Sequence, residues 1–219
     1  MKIMSVEKAR SVWLMRMVDA NPRGLYGISI ITAIAERYKF LKLPPKEQVE
    51  AGNEFKFSRG VFVKDDQTQL GVELSIYNDG LVADTRSSTD DSDAFIDDLL
   101  TYLSETFNIT PYEQILSRRI YFNELWVKCD KKLHILNPKL KKFEKEIGEL
   151  SHSDDSNKRE FETAGLIFSV DPTIPAAPGA FRFERAANTP FTENRYFTAA
   201  PLTTKNHIEL LEKFEKLLS

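Results

Sequence analysis

Residues 71–107 read GVELSIYNDGLVADTRSSTDDSDAFIDDLLTYLSETF, and the change of period inside this stretch decides the fold class. Val72, Leu74 and Ile76 fall at every second position, the spacing of a strand with one buried face. Asp79-Gly80 is the dipeptide that two-residue type I′ hairpin turns favour, because both central residues of that turn need positive φ. The returning strand is expected from Leu81 to about Thr85. From there the period lengthens. Phe95, Leu99, Leu103 and Phe107 share a helical face with Ile96 and Leu100 beside them. Asp90, Asp91 and Asp93 crowd the start of that helix, where carboxylates oppose the positive end of the dipole.

Working outward, EFKFSRGVFV (residues 54–63) alternates at Phe55 and Phe57 and makes a second strand. Towards the N-terminus, Ser5 as N-cap with Val6, Ala9, Trp13 and Met17 at helical spacing predicts a helix to about Val18. A second helix is expected with Asn21 as cap, Pro22 in its first position and Leu25, Ile28, Ile31, Ala35 and Tyr38 on one face. YKFLKLP reads as a short edge strand stopped by Pro44-Pro45. Towards the C-terminus, RRIYFNELWVKCD gives a strand with Ile120 and Phe122 in phase. Asn137-Pro138 opens a helix striped by Leu140, Phe143, Ile147 and Leu150. FETAGLIFSVD and AFRFERA are strands around the Pro-rich PTIPAAPG, and a closing helix from about Thr204 turns Ile208, Leu211, Phe214 and Leu218 inward.

The sum is an α+β fold: an antiparallel or mixed sheet carrying amphipathic helices, about five helices and seven to eight strands. A single domain over residues 1–219 is expected, with an exposed polar loop at 151–160, where no apolar residue occurs. The alternative is two similar lobes, 1–110 and 111–219, since KNHIELLEKFEKLL faintly echoes DAFIDDLLTYLSETF.

A chain of 219 residues with 42% hydrophobic and 29% charged residues has the composition of a folded domain. The one cysteine, Cys129, excludes an intramolecular disulfide and fits a reducing compartment. Charges at Glu7, Lys8, Arg10 and Arg16 interrupt any signal-peptide core, and the longest apolar run, residues 27–35, is far short of a bilayer span. A cytoplasmic location and no membrane partner are therefore expected. The net charge of -3 argues against a protein built mainly to coat nucleic acid.

Four sets of residues bear on function. The first is acidic. Asp84-Thr85-Arg86, on a strand after a hairpin, resembles the D-x-K strand of PD-(D/E)xK nucleases, with Asp79 and Glu36 as further metal ligands and Glu73 nearby. Arginine stands where that pattern has lysine, and Asp79 lies only five residues earlier, inside the turn. The second is basic: residues 118–145 carry a surplus of six cations, and Lys139, Lys141, Lys142 and Lys145 on one helix could contact nucleic acid or phosphate. The solvated side of an amphipathic helix accounts for the same lysines.

The third set, RGVFV and AFRFERA, resembles the stacking strands of RNA-recognition modules, but alternate residues of a half-buried strand account equally for Phe181 and Phe183. The fourth interleaves arginine with aromatics in a loop-rich region: Arg182, Arg185, Phe191, Arg195 and Tyr196, the composition of interface hot spots. Nucleophile motifs and phosphate-binding glycine loops do not occur, and Cys129, His134, His152 and His207 form no triad spacing.

These readings point to a non-enzymatic protein that acts by macromolecular interaction. Protein–protein contact comes first, with a partner or by self-association. A metal-dependent phosphodiesterase or nuclease-like enzyme is one alternative, and nucleic-acid binding through a basic face is the other. No cofactor is expected.

Overall fold

A computed structural model of the chain describes residues 1–22, 24, 27–45, 54–65, 68–151 and 160–218. Among these residues the fold is α+β, with eight strands and five α-helices. In chain order the elements are β1 (Lys2–Leu14), α1 (Met17–Ala20), α2 (Gly27–Arg37), β2 (Glu54–Asp65), β3 (Thr68–Tyr77), β4 (Gly80–Thr85) and α3 (Thr89–Phe107). There follow β5 (Arg118–Lys128), α4 (Pro138–Leu150), β6 (Gly165–Phe168), β7 (Phe181–Arg185), β8 (Arg195–Ala200) and α5 (Thr204–Leu217).

The chain divides into two compact units. The first is Val6–Asn123 with Pro201–Lys205. The second is Met1–Ser5, Glu124–Ala200 and Asn206–Ser219. In the first, the strands lie in the order β2-β3-β4-β1-β5, and in the second β5-β8-β7-β6. Pairing is antiparallel between β2 and β3, β3 and β4, and β4 and β1, and likewise between β6 and β7 and between β7 and β8. Both units thread the chain in a similar way among the described residues: a strand, then helix (α1 and α2 in the first, α4 in the second), a three-stranded meander and a closing helix, with the opening strand beside the last strand of the meander.

The N-terminal segment corrects the expected helix. It is strand β1, and its apolar face runs at every second residue: Ala9, Ser11, Trp13 and Met15 are all buried. Ala9 and Trp13 fit both periods, which is why the helical spacing was plausible. The charges between them decide the matter. Arg10 stands opposite Asp84 of β4 and donates two hydrogen bonds to its carboxylate, each 2.7 Å. Arg86 comes within 3.7 Å of Glu7.

The hairpin also sits one residue earlier than its dipeptide suggests. Tyr77 pairs with Gly80, so Asn78 and Asp79 are the central residues, and neither has positive φ. Gly80 is required for another reason: a Cβ there would lie 2.3 Å from the Trp13 carbonyl oxygen. α3 forms as expected, with the Ser88 side chain accepting from the Asp91 backbone N–H. It buries Phe95, Ile96, Leu99, Leu100 and Leu103 against Phe57, Leu74, Leu81 and Ile34.

Helix α2 begins at Gly27 rather than at Asn21-Pro22, and Asn21 instead ends α1. Its buried residues are Ile34 and Ala35, whereas Ile28 is 76% exposed; Leu25 lies outside the described residues. The segment expected as an edge strand makes a single bridge, Lys42 to Ser58. In β5 the buried face is Asn123, Leu125 and Val127, out of phase with Ile120 and Phe122. Of the polar stretch 151–160, only Ser151 and Glu160 are described.

Two buried polar groups have consequences that can be measured. Thr89 and Thr204, the first residues of α3 and α5, bond reciprocally: each backbone N–H donates to the other's Oγ1 at 3.0 Å. Thr204 Oγ1 also accepts from Asn123 Nδ2 at 3.1 Å. Thr204→Val removes the acceptor for both donors inside a buried site, so we expect a loss of roughly 2–4 kcal/mol in urea denaturation. Thr204→Ser, which keeps the oxygen, should lose roughly 1 kcal/mol or less.

His207 is fully buried on α5, with Nε2 2.9 Å from Thr198 Oγ1, and burial lowers its pKa from 6.5 to about 4. The unfolded chain therefore binds the extra proton across that interval. Stability is held above pH 6.5 and lost as pH falls towards 4, by roughly 3 kcal/mol. Chemical denaturation at several pH values checks this, and His207→Gln should flatten the slope.

Candidate binding cleft

Helix α4 starts where its sequence says. The Asn137 side chain accepts from the Lys139 N–H at 3.1 Å, and Pro138 takes the first position, where its missing N–H costs nothing. The expected apolar stripe is not packed away, however. Phe143 is 60% exposed and Leu150 88%, while Leu140 and Ile147 are half-buried. Pro138, Lys141, Lys142, Lys145, Gly148 and Glu149 follow one another at helical spacing along α4, all but Gly148 exposed. They line a cleft of about 1070 Å3 within the second unit. Lys132 and His134 precede the helix in the same lining, and Glu160, Phe161 and Glu162 join it from the segment before β6. Arg185, Phe191, Thr192 and Asn194 join it from the end of β7 and the turn before β8.

Arg185 organises that last group. Its side chain is only 5% exposed. Nη2 donates to Glu162 Oε1 at 2.9 Å, and Nη1 donates to the Phe191 carbonyl at 3.0 Å and to Asn194 Oδ1 at 3.2 Å. The guanidinium lies over the rings of Phe191 and Tyr196, 4.9 and 4.5 Å from their centroids. Asn194, left-handed at φ 53°, donates from Nδ2 to Asp130 Oδ1. The turn at residues 191–194 is thereby fixed by side chains.

On the α4 side, Glu144 Oε1 accepts from Thr163 N and Oγ1, each at 2.5 Å, and its Oε2 lies 3.9 Å from His134 Nδ1. Two buried atoms of lining residues, His134 Nδ1 and Arg185 Nε, have no hydrogen-bond partner.

The structure therefore brings together two sets that the sequence kept apart, Lys141, Lys142 and Lys145 with Arg185 and Phe191. The rest of those sets stand elsewhere. Lys139 is exposed and outside the lining. Arg182 is exposed on β7, and Arg195, within 3.9 Å of Glu193, has its guanidinium 5.9 Å from the Trp126 ring. Tyr196 does not offer a surface. It is fully buried and stacked on Phe183 at 4.5 Å, and burial pushes its phenol pKa up to about 12 against the lowering effect of Arg185. The sequence did not single out Glu162, counted Lys132 only within the basic stretch 118–145, and treated His134 only as a neighbour of Cys129. Their signal, an alternation of cations and acids, is indistinguishable from any solvated surface until the chain is folded.

The acidic residues have other partners. Asp84 is held by Arg10, as above, and lies opposite exposed Glu73 on β3. Asp79 is in the hairpin turn, and Glu36 is exposed on α2. Among the described residues no group of three or more His, Cys, Asp or Glu is arranged to hold a metal ion, and Glu36, Asp79 and Asp84 form none. Asp91 receives Lys64 Nζ at 2.7 Å, and Asp93 accepts from Trp13 Nε1 and Tyr121 OH. Cys129 is buried, its Sγ 3.9 Å from the Lys131 carbonyl. Phe183, in the strand likened to an RNA-stacking surface, is fully buried. No described helix is long and apolar enough to cross a membrane.

No protein-family model matches the chain. No curated protein matches it either. Among solved structures, Methanococcus jannaschii TBP is similar with a TM-score of 0.45 and 11% identity, over 99% of this chain and 97% of that one. A likeness of this size leaves the functional reading to rest on the cleft itself.

Arg185→Met would leave the Glu162 carboxylate and the Phe191 carbonyl without their buried donor. We expect a loss of roughly 3–5 kcal/mol in chemical denaturation. Arg185→Lys should recover only part of it, because an ammonium cannot serve three acceptors through a planar fork.

Proposed function

We propose that this chain works by binding another protein, and that the cleft beside α4 receives a segment of it. The observation that carries this reading is the meeting of Lys141, Lys142 and Lys145 with Arg185 and Phe191 in one opening. Arg185, itself buried, clamps the turn that carries Phe191, and so holds this exposed ring rigidly at the opening beside the lysines. At about 1070 Å3 the cleft exceeds the roughly 300–1,000 Å3 typical of small-molecule sites. A stretch of polypeptide has the matching size and the mixture of apolar and polar groups.

The second reading, nucleic-acid binding, is favoured by the exposure of Lys139, Lys141, Lys142 and Lys145. Four glutamates, Glu144, Glu149, Glu160 and Glu162, line the same opening and oppose a polyanion. That reading predicts affinity for duplex DNA or RNA that falls steeply between 50 and 200 mM salt.

Selection of a displayed peptide library on the full chain tests the first reading. Enriched peptides should bind the parent chain and lose at least tenfold in Thr192→Trp, which places a large side chain in the opening at an exposed position. Failure to enrich any peptide above an unrelated control domain would overturn it.

A further inference from the structure

We propose that the cleft selects an acidic segment, one whose carboxylates meet Lys141 and Lys145 and whose neighbouring aromatic or aliphatic side chain lies on Phe191 and Phe161. This rests on the binding role proposed above and gives the partner its chemistry.

The first argument comes from the groups already committed. Glu162 is occupied by Arg185, with Lys132 3.7 Å away. Glu144 is occupied by Thr163. The lysines are not held in this way. Lys141 makes no ion pair among the described residues. Lys142 and Lys145 face Glu146 and Glu149 along the helix at 3.8 and 3.6 Å, with both lysines about four-fifths exposed. Such exposed pairs are weak and exchange readily for a better anion. The cleft thus carries spare positive charge on α4.

The second argument comes from the interior. Buried polar atoms are almost always hydrogen-bonded, yet among the described residues Arg185 Nε–H and His134 Nδ1 are buried without a hydrogen bond, the latter with Glu144 Oε2 3.9 Å away. Arg185 can only donate, and His134 Nδ1 can donate in one tautomer. Both atoms call for acceptors, and a carboxylate adds these to the backbone carbonyls that every segment carries.

The third argument distinguishes a peptide from a phosphate. Glu149 and Glu160 stand at the same opening and offset part of the attraction that its lysines exert on any anion. Phe161 and Phe191 are 43% and 42% exposed, an apolar surface that a phosphate leaves uncovered and a side chain covers.

The peptide selection described above provides the test, now read for composition. Enriched sequences should carry Asp or Glu next to an aromatic or aliphatic residue. Their affinity should fall at least tenfold in the double variant Lys141→Glu, Lys145→Glu, and return at least in part when the acids of the peptide are replaced by lysine. Neutral or basic enriched peptides that Thr192→Trp still blocks would overturn the acidic preference and leave the binding role standing. Absence of any enriched peptide would overturn both. Displacement of the acidic peptide by inorganic phosphate or an oligonucleotide at lower concentration than by free acidic peptide would assign the lysines to phosphate and overturn the proposal. So would a dimer in light scattering that Thr192→Trp dissociates, since the occupant would then be a second copy of this chain.

Discussion

Two threonines fix where the long helices begin. Thr89 and Thr204 each satisfy a backbone donor that the first turn of a helix would otherwise leave open. Other elements tie in around them. Ser11 of β1 donates to the Thr89 carbonyl, Ser92 to the Ala9 carbonyl, and Asn123 of β5 to both the Lys8 carbonyl and Thr204 Oγ1. This cluster is buried, and each of these bonds links residues distant in sequence. Apolar burial would tolerate a helix displaced along its axis by a fraction of a turn; these bonds do not. They set the register of α3 and of the first residue of α5 on the strands of the first unit.

The parts of the fold that could be read in advance are those where one local signal dominates. The strands and the helix in residues 71–107 follow from a period of two and a period near four. Asn137-Pro138 marks a helix start by covalent geometry alone. β1 was misread because Ala9, Trp13 and Met17 suit either period, and the deciding fact, that Arg10 is neutralised by Asp84 across the sheet, is a relation between residues far apart in sequence. The turn at Asn78-Asp79 was displaced for a comparable reason. What Gly80 answers to is the nearness of the Trp13 backbone, which has no local signature.

The cleft shows the same division. The composition of α4 and of residues 182–196 could be noted separately, but not that Lys141 and Arg185 line one opening. Composition also misassigned Tyr196 and Arg185 to a surface. Arginine with aromatics suits a hot spot, and it suits equally well a buried clamp in which the guanidinium is held between two rings. Here it is the clamp, and the side chains left open to a partner are the lysines of α4 and the rings of Phe161 and Phe191. The acidic stretch that first invited a metal dissolves into helix capping, a turn and a cross-strand ion pair.

The polypeptide passes from one compact unit to the other after Ser5, Asn123, Ala200 and Lys205. Neither unit is thus a contiguous piece of chain. Thr204 lies 115 residues beyond Thr89, so α3 has its full set of bonds only once that distant segment has joined it. For the same reason no single proteolytic cut releases an intact half, and any attempt to isolate the cleft-bearing unit has to rejoin three separate segments.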